Sequence, residues 1–180
     1  MTVLLPEPLK RFIWDFQSVV ELAESPRELL LIGGDVFRRA LGEPDLLPPA
    51  FVTVDPAQPR LRQVFADALS RFTPACLALA PGQEGPLLPG PGWRMAGVLS
   101  GAVLRWTEGD PREARLAEGQ MEILRGGGAA QYVNASTLAP ALLLLTFDAA
   151  LLASPIAPGF TNESWAPPFD IFTIQTRVET

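Results

Sequence analysis

Proline punctuates the whole of this chain, 19 in 180 residues, about twice the share of ~5% found in an average domain. These prolines run from end to end and form no single low-complexity tail. Proline lacks a backbone N–H and disfavours helix interiors, so the stretches between prolines must be short elements joined by turns. No internal repeat is present. The length suits one domain, or a core domain with a helical preface. With 48% apolar and 19% charged residues and a mean hydropathy of +0.20, the chain is too apolar for disorder. Its apolar residues are also too evenly spread for a membrane span.

The residues that are scarce narrow the chemistry. There is no histidine, which removes the commonest general base near neutral pH and the commonest ligand for zinc, copper and iron. A serine or cysteine nucleophile would lack its usual imidazole partner. Cys76 is the only cysteine, so neither an intrachain disulfide nor a thiolate cluster can form. It lies in Ala75-Cys76-Leu77-Ala78-Leu79, which reads as a buried, inert core thiol. The formal charge of −6 repels phosphate backbones, so no nucleic-acid partner is expected. Pro6, Glu7, Pro8, Lys10 and Arg11 break up the N-terminal apolar residues, which argues against a secretory signal. The apolar run at 138–145 contains Pro140 and is too short to cross a bilayer. The expectation is a cytoplasmic protein with no membrane partner.

Two helices open the chain. Leu9, Phe12, Ile13, Phe16, Val19, Val20 and Ala23 fall at offsets of three and four, forming one apolar stripe over residues 7–24. Ser25-Pro26-Arg27-Glu28 then reads as a second start, with Ser25 as cap, Pro26 in the first turn and Glu28 completing a capping box. Leu29, Leu30, Gly33, Val36, Phe37, Ala40 and Leu41 continue the stripe until Gly42 and Pro44. Both stripes are wide enough to require a sheet beneath them.

From about residue 51 the texture changes to short apolar runs bounded by Pro-Gly, Gly-Pro, Ser-Gly and Glu-Gly signals, which predicts an all-β sandwich or barrel. Candidate strands are 72–80, 94–99, 102–106, 120–124, 130–134, 141–147 and 169–178, with Ser100-Gly101 as a tight hairpin turn. Residues 60–69 are ambiguous, because Leu61, Val64, Phe65, Ala68 and Leu69 also fit a helix face.

The run Pro81-Gly82-Gln83, Gly85-Pro86-Leu87-Leu88-Pro89-Gly90, Trp93 and Gly97-Val98-Leu99-Ser100-Gly101 resembles a cupin, and more narrowly the cysteine dioxygenase-like branch, the thiol dioxygenases. In that branch a Pro-Gly-Gln turn leads to Thr-Pro-Ile-His-Asp-His, then Trp-Gly, then Gly-Val-Leu-x-Gly. The match is free of gaps from Pro81 to Gly101. Residues 127–134, Gly-Gly-Ala-Ala-Gln-Tyr-Val-Asn, look like the branch's Gly-Asp-Ile-His-Arg-Val-x-Asn. Leu144-Leu145-Thr146-Phe147 stands where the branch has Leu-His-Val-Tyr. The resemblance covers roughly residues 8–175 and favours a strand for 60–69. It implies a cupin double-stranded β-helix, a jelly-roll barrel over 51–180, with the two α-helices of 1–50 packed on it as one structural domain.

What the resemblance implies for the site is mostly loss. Enzymes of the branch hold ferrous iron with three histidines, and here those positions are Leu88, Gly90 and Ala130, which offer no lone pair. The catalytic histidine and tyrosine would be Leu145 and Phe147. Glu84, Glu118, Glu122 and Asp148 are the nearest acids in sequence, and nothing in their positions suggests convergence, though a chance calcium or magnesium site stays open. No metal or other cofactor is therefore expected. The resemblance lines the barrel cavity with Leu88, Met95, Ala130, Tyr132, Leu145 and Phe147. These either fill the space or leave a dry pocket for a small molecule. Arg94, in place of a glycine, either grips a carboxylate at the mouth, or reaches to solvent or pairs with an acidic neighbour. Arg62 is a further pocket candidate, and it shares one strand face with Arg60, so both point inward or both outward. Trp93 and Trp106 read as packing residues. Gly126-Gly127-Gly128 lacks the Lys-Ser/Thr of a phosphate loop, and the two Asn-x-Ser sites read as chance matches.

The function expected from this is a metal-free, non-catalytic cupin that binds a small organic acid or thiol, or a protein partner, and pairs as a homodimer. Its rival is an enzyme, either a thiol dioxygenase with unconventional ligands or a metal-independent catalyst. A regulatory subunit of an active relative is a third reading.

Overall fold

A computed structural model describes residues 5–65, 67, 69, 71–88 and 92–148. The first stripe forms α1 (Glu7–Leu22) and the second α2 (Pro26–Leu41). Ser25 caps α2, its hydroxyl accepting from Glu28 N–H at 3.2 Å. The return bond departs from the expected box, because the Glu28 carboxylate accepts from Glu24 N–H at 3.0 Å rather than from the cap residue itself. A single turn, α3 (Pro49–Val52), went unanticipated because four residues carry no period.

Eight strands follow: β1 (Arg60–Gln63), β2 (Phe72–Leu79), β3 (Trp93–Ser100), β4 (Ala102–Thr107), β5 (Asp110–Ala117), β6 (Met121–Arg125), β7 (Ala130–Asn134) and β8 (Ala141–Asp148). They form two antiparallel sheets, one in the order β1-β2-β8-β3-β6 and one in the order β5-β4-β7. The chain changes sheet at the β3–β4, β5–β6, β6–β7 and β7–β8 links, giving a jelly roll.

Two expectations need correction, and one strand is new. Among the described residues of the 60–69 segment only 60–63 are strand, and Val64 and Phe65 instead turn into the helix-side core. Ser100-Gly101 is no hairpin, since β3 and β4 lie in different sheets. Gly101 turns that corner at φ +81°, where a Cβ would meet the Pro140 carbonyl oxygen at 2.7 Å. Strand β5 escaped notice because Arg112, Glu113 and Arg115 leave it with little apolar alternation, as befits an edge strand facing solvent. The expected strand 169–178 lies outside the described residues.

The central strands of the five-stranded sheet, β2, β8 and β3, are buried on both faces along most of their length. Every residue of β2 is buried, because helices cover one side and the second sheet covers the other. Phe72, Cys76, Met95 and Leu144 belong with α1 and α2, whereas Ala75, Leu77, Ala96, Val98, Leu143, Leu145 and Phe147 point into the barrel. Helix α2 docks where the sheet has no side chain, and a Cβ on Gly97 would collide with Leu41 and come within 2.8 Å of Phe37. Cys76 is fully buried, and burial pushes its thiol up to about 12, which keeps it inert as expected. No described helix is long and apolar enough to cross a membrane.

Candidate functional site

Strand alternation decides which candidates face the barrel. On β3, Ala96 and Val98 lie in the interior cluster, so Arg94 shares their face and Met95 does not. Met95 belongs to the helix-side core, with its methyl group against Gly33 of α2. It is therefore no pocket residue. Arg62 is corrected on the same ground. Leu61 points inward, so Arg60 and Arg62 point outward together. Arg60 pairs with Asp55 at 2.9 Å. Arg62 donates to the Phe51 and Thr53 carbonyl oxygens, both at 3.3 Å, which ties β1 to the end of α3. Burial lowers its pKa, with Cys76 and Arg60 as the other influences.

The remaining candidates do come together. Leu88 and Ala130 face each other across an isolated β-bridge, with Leu88 N–H donating to Ala130 O at 2.7 Å and Ala130 N–H to Leu88 O at 2.9 Å. Leu145, Phe147 and Tyr132 lie in the same interior cluster as Leu88. Gly90 lies outside the described residues. Trp93 packs against Phe16, with centroids 6.0 Å apart, as a packing residue should. Trp106 is 42% exposed, so packing does not account for its whole surface.

Charge stands among this hydrocarbon. Arg94 is only 3% exposed, and its guanidinium donates to Leu88 O at 3.1 Å and Gly128 O at 3.4 Å. Burial lowers its pKa, while Tyr132 and Glu122 act in the opposite sense. Opposite Ala96 in the β3–β6 register, Glu122 also points inward. Its carboxylate accepts from Tyr132 Oη at Oε1, 2.8 Å, and from Arg105 Nε at Oε2, 2.9 Å. Arg105 pairs in register with Tyr132, shares the inward face of Val103, and also donates to the Thr107 hydroxyl. Burial, followed by the negative charge of Glu122, raises the Tyr132 phenol well above its ordinary value. The phenol thus remains a proton donor to the carboxylate.

The Arg105–Glu122 pairing was missed from sequence. Its signal was present in the period of two, which carries the inward face of Val103 to Arg105 and that of Arg94 across to Glu122.

This interior does not suit a ferrous centre. Leu88 and Ala130 supply hydrocarbon at two positions where the resemblance places histidines, and the inward carboxylate of Glu122 already serves Arg105 and Tyr132. Glu84 is exposed at a bridge to Val133, Glu118 is exposed beyond β5, and Asp148 ends β8. Among the described residues, no three His, Cys, Asp or Glu side chains are grouped to hold a metal. The cluster thus sets a buried cation, an ion pair and a phenol inside an otherwise apolar barrel.

Solved structures share the architecture. An uncharacterized conserved protein with a double-stranded β-helix domain from Klebsiella pneumoniae is 18% identical, with a TM-score of 0.50, over 59% of this chain and 90% of that one. An oxalate oxidase structure is 13% identical, with a TM-score of 0.50, over 77% of this chain and 76% of its own. The protein TT1209 from Thermus thermophilus is 26% identical, with a TM-score of 0.48, over 55% of this chain and 90% of that one. No family model and no curated protein matches the sequence. The chain has the cupin fold, a double-stranded β-helix preceded by helices. At these identities the likeness speaks for fold alone.

Proposed function

We propose that this chain is a metal-free, non-catalytic cupin that binds a small organic acid or thiol acid inside the barrel. One observation carries the reading: the two facing positions, Leu88 and Ala130, are hydrocarbon, while the Arg94 guanidinium, which donates to the Leu88 and Gly128 carbonyl oxygens, brings a positive charge to the same interior. The motif spacing from Pro81 to Gly101 ties the scaffold to the thiol dioxygenases, and the substitutions at Leu88, Ala130, Leu145 and Phe147 detach it from their chemistry. Edge-to-edge homodimerisation belongs to the same proposal, with β6 ending one side of the five-stranded sheet.

The test is calorimetric titration and thermal shift of the full chain with propionate, 3-mercaptopropionate and cysteine, beside propionamide as an uncharged control. A saturating acid at 100 times its Kd adds about 2.7 kcal/mol of stability. We expect at least one acid to bind and stabilise, propionamide to fail, Arg94→Met to abolish the effect and Arg94→Lys to keep part of it. Absence of binding by every acid, or equal binding to folded Arg94→Met, overturns the proposal.

A further inference from the structure

At the end of β3 opposite Arg94, the five-stranded sheet meets the helix layer. There the end of β3, the start of β8 and the link from α2 to α3 enclose a cleft of about 470 Å³. That volume falls in the range of pockets for small organic ligands, about 300–1,000 Å³. Its floor is aliphatic, built from Leu41, Leu46 and Leu47, all buried, with Leu99 and Leu142 half-buried behind them.

The rim is acidic. Glu43, Asp45 and Glu118 border the cleft, and no lysine or arginine is among the described residues that line it. Among the described residues none of these three carboxylates has a basic partner, whereas Asp15, Asp35, Asp55, Asp67, Asp110 and Glu122 each pair with an arginine. Uncompensated carboxylates around an apolar floor complement one ligand class, a cation carrying a hydrocarbon body. An anion of the same length would meet three like charges, and a neutral apolar molecule would leave the rim unused.

We infer that this cleft is a binding site for a small amphipathic organic cation, an alkyl or aralkyl ammonium whose chain lies on the leucines and whose charged head meets Glu43, Asp45 and Glu118. The inference is independent of the acid site proposed inside the barrel. Loss of binding through Arg94→Met would therefore leave this site intact.

The experiment titrates the full chain with n-octylammonium and n-octanoate at low and high salt, by calorimetry and by two-dimensional NMR. Saturable octylammonium binding is expected, about tenfold or more tighter than octanoate, weaker at high salt, with shifts centred on the cleft. The triple variant Glu43→Gln, Asp45→Asn, Glu118→Gln should weaken it about tenfold, since opposite charges at such a rim contribute on that order. The control Glu113→Gln, an exposed acid on β5, should change nothing. Asn tolerates the left-handed backbone that Asp45 adopts at φ 54°, and circular dichroism confirms that the variants fold. Failure to saturate, equal affinity for octanoate, or an unaffected triple variant overturns the inference.

Discussion

On the helix side of the five-stranded sheet, Phe16 sits 5.1 Å from Phe72 and 6.0 Å from Trp93 by ring centroids, in a layer whose cluster residues are apolar. On the barrel side, the same strands hold Leu143, Leu145 and Phe147 but also turn Arg94 inward beside the Glu122–Arg105–Tyr132 group. Stability needs only the first kind of face. A buried ion pair recovers its desolvation cost only with good geometry, and hydrocarbon of equal volume is often as stable or more so. The comparison therefore teaches where function should be sought. The helix layer fixes the sheet, and the charges that packing does not require stand inside the barrel.

Four variants sharpen this contrast, from the largest effect to the smallest. Phe16→Ala on the helix side should cost about 3–5 kcal/mol in denaturant unfolding, as other buried phenylalanine truncations do. Where it still folds, acid binding should persist. A specific loss of acid binding with stability intact would break the division between the faces.

Glu122→Gln on the barrel side should cost about 3 kcal/mol, because Arg105 and Glu122 are each only 14% exposed and the guanidinium would lose its counter-ion. A double-mutant cycle with Arg105→Met isolates their coupling. Tyr132 is the only tyrosine in the chain, so ultraviolet titration reports it alone. Its folded pKa is raised, so its stabilising contribution is full below about pH 10 and is lost as the pH climbs through the folded value. Glu122→Gln should move that titration downward. An unchanged titration would detach Tyr132 from the carboxylate.

Asn134→Leu should cost about 2 kcal/mol, since the Asn134 amide donates to the Leu79, Ala80 and Ala139 carbonyl oxygens at 3.3, 3.0 and 2.8 Å. Its readout is the unfolding midpoint. Thr146→Val should give the smallest change, and in the opposite direction. The Thr146 hydroxyl is buried on the helix side with no hydrogen-bond partner among the described residues, so valine should raise stability by up to about 1 kcal/mol. A loss of stability there would mean that the helix layer is not purely apolar in its demands.

How much of this was legible in the sequence follows from where the chain meets water. Helices α1 and α2 each have one dry face and one wet face, so a period near 3.6 shows in the residues. Strand β2, dry on both faces, still read as strand from its uninterrupted apolar run between Pro and Gly signals. Strand β5 carries charge at four of its eight positions and left no such mark. The change of sheet at Gly101 depends on distant partners, which a two-residue turn signal cannot encode. Of the residues that motif comparison named, Leu88, Tyr132, Leu145 and Phe147 share one interior cluster and Ala130 bridges Leu88. Motif comparison put Met95 on the pocket wall against the alternation that turns Arg94 inward, and it left Arg60 and Arg62 open between two faces until Leu61 in the interior cluster decided for the outward one. The leucine cleft and its acidic rim come from separate segments of the chain, and no local pattern announces them.

The central claim is that this cupin barrel works without a metal. Elemental analysis of the full chain, purified from cells grown with added iron, tests it most directly when paired with oxygen-uptake measurements on cysteine and 3-mercaptopropionate. The account predicts iron, manganese, zinc and copper each far below one ion per chain, with no oxygen consumed. One equivalent of iron per chain, retained through purification and accompanied by thiol-dependent oxygen uptake, would contradict it.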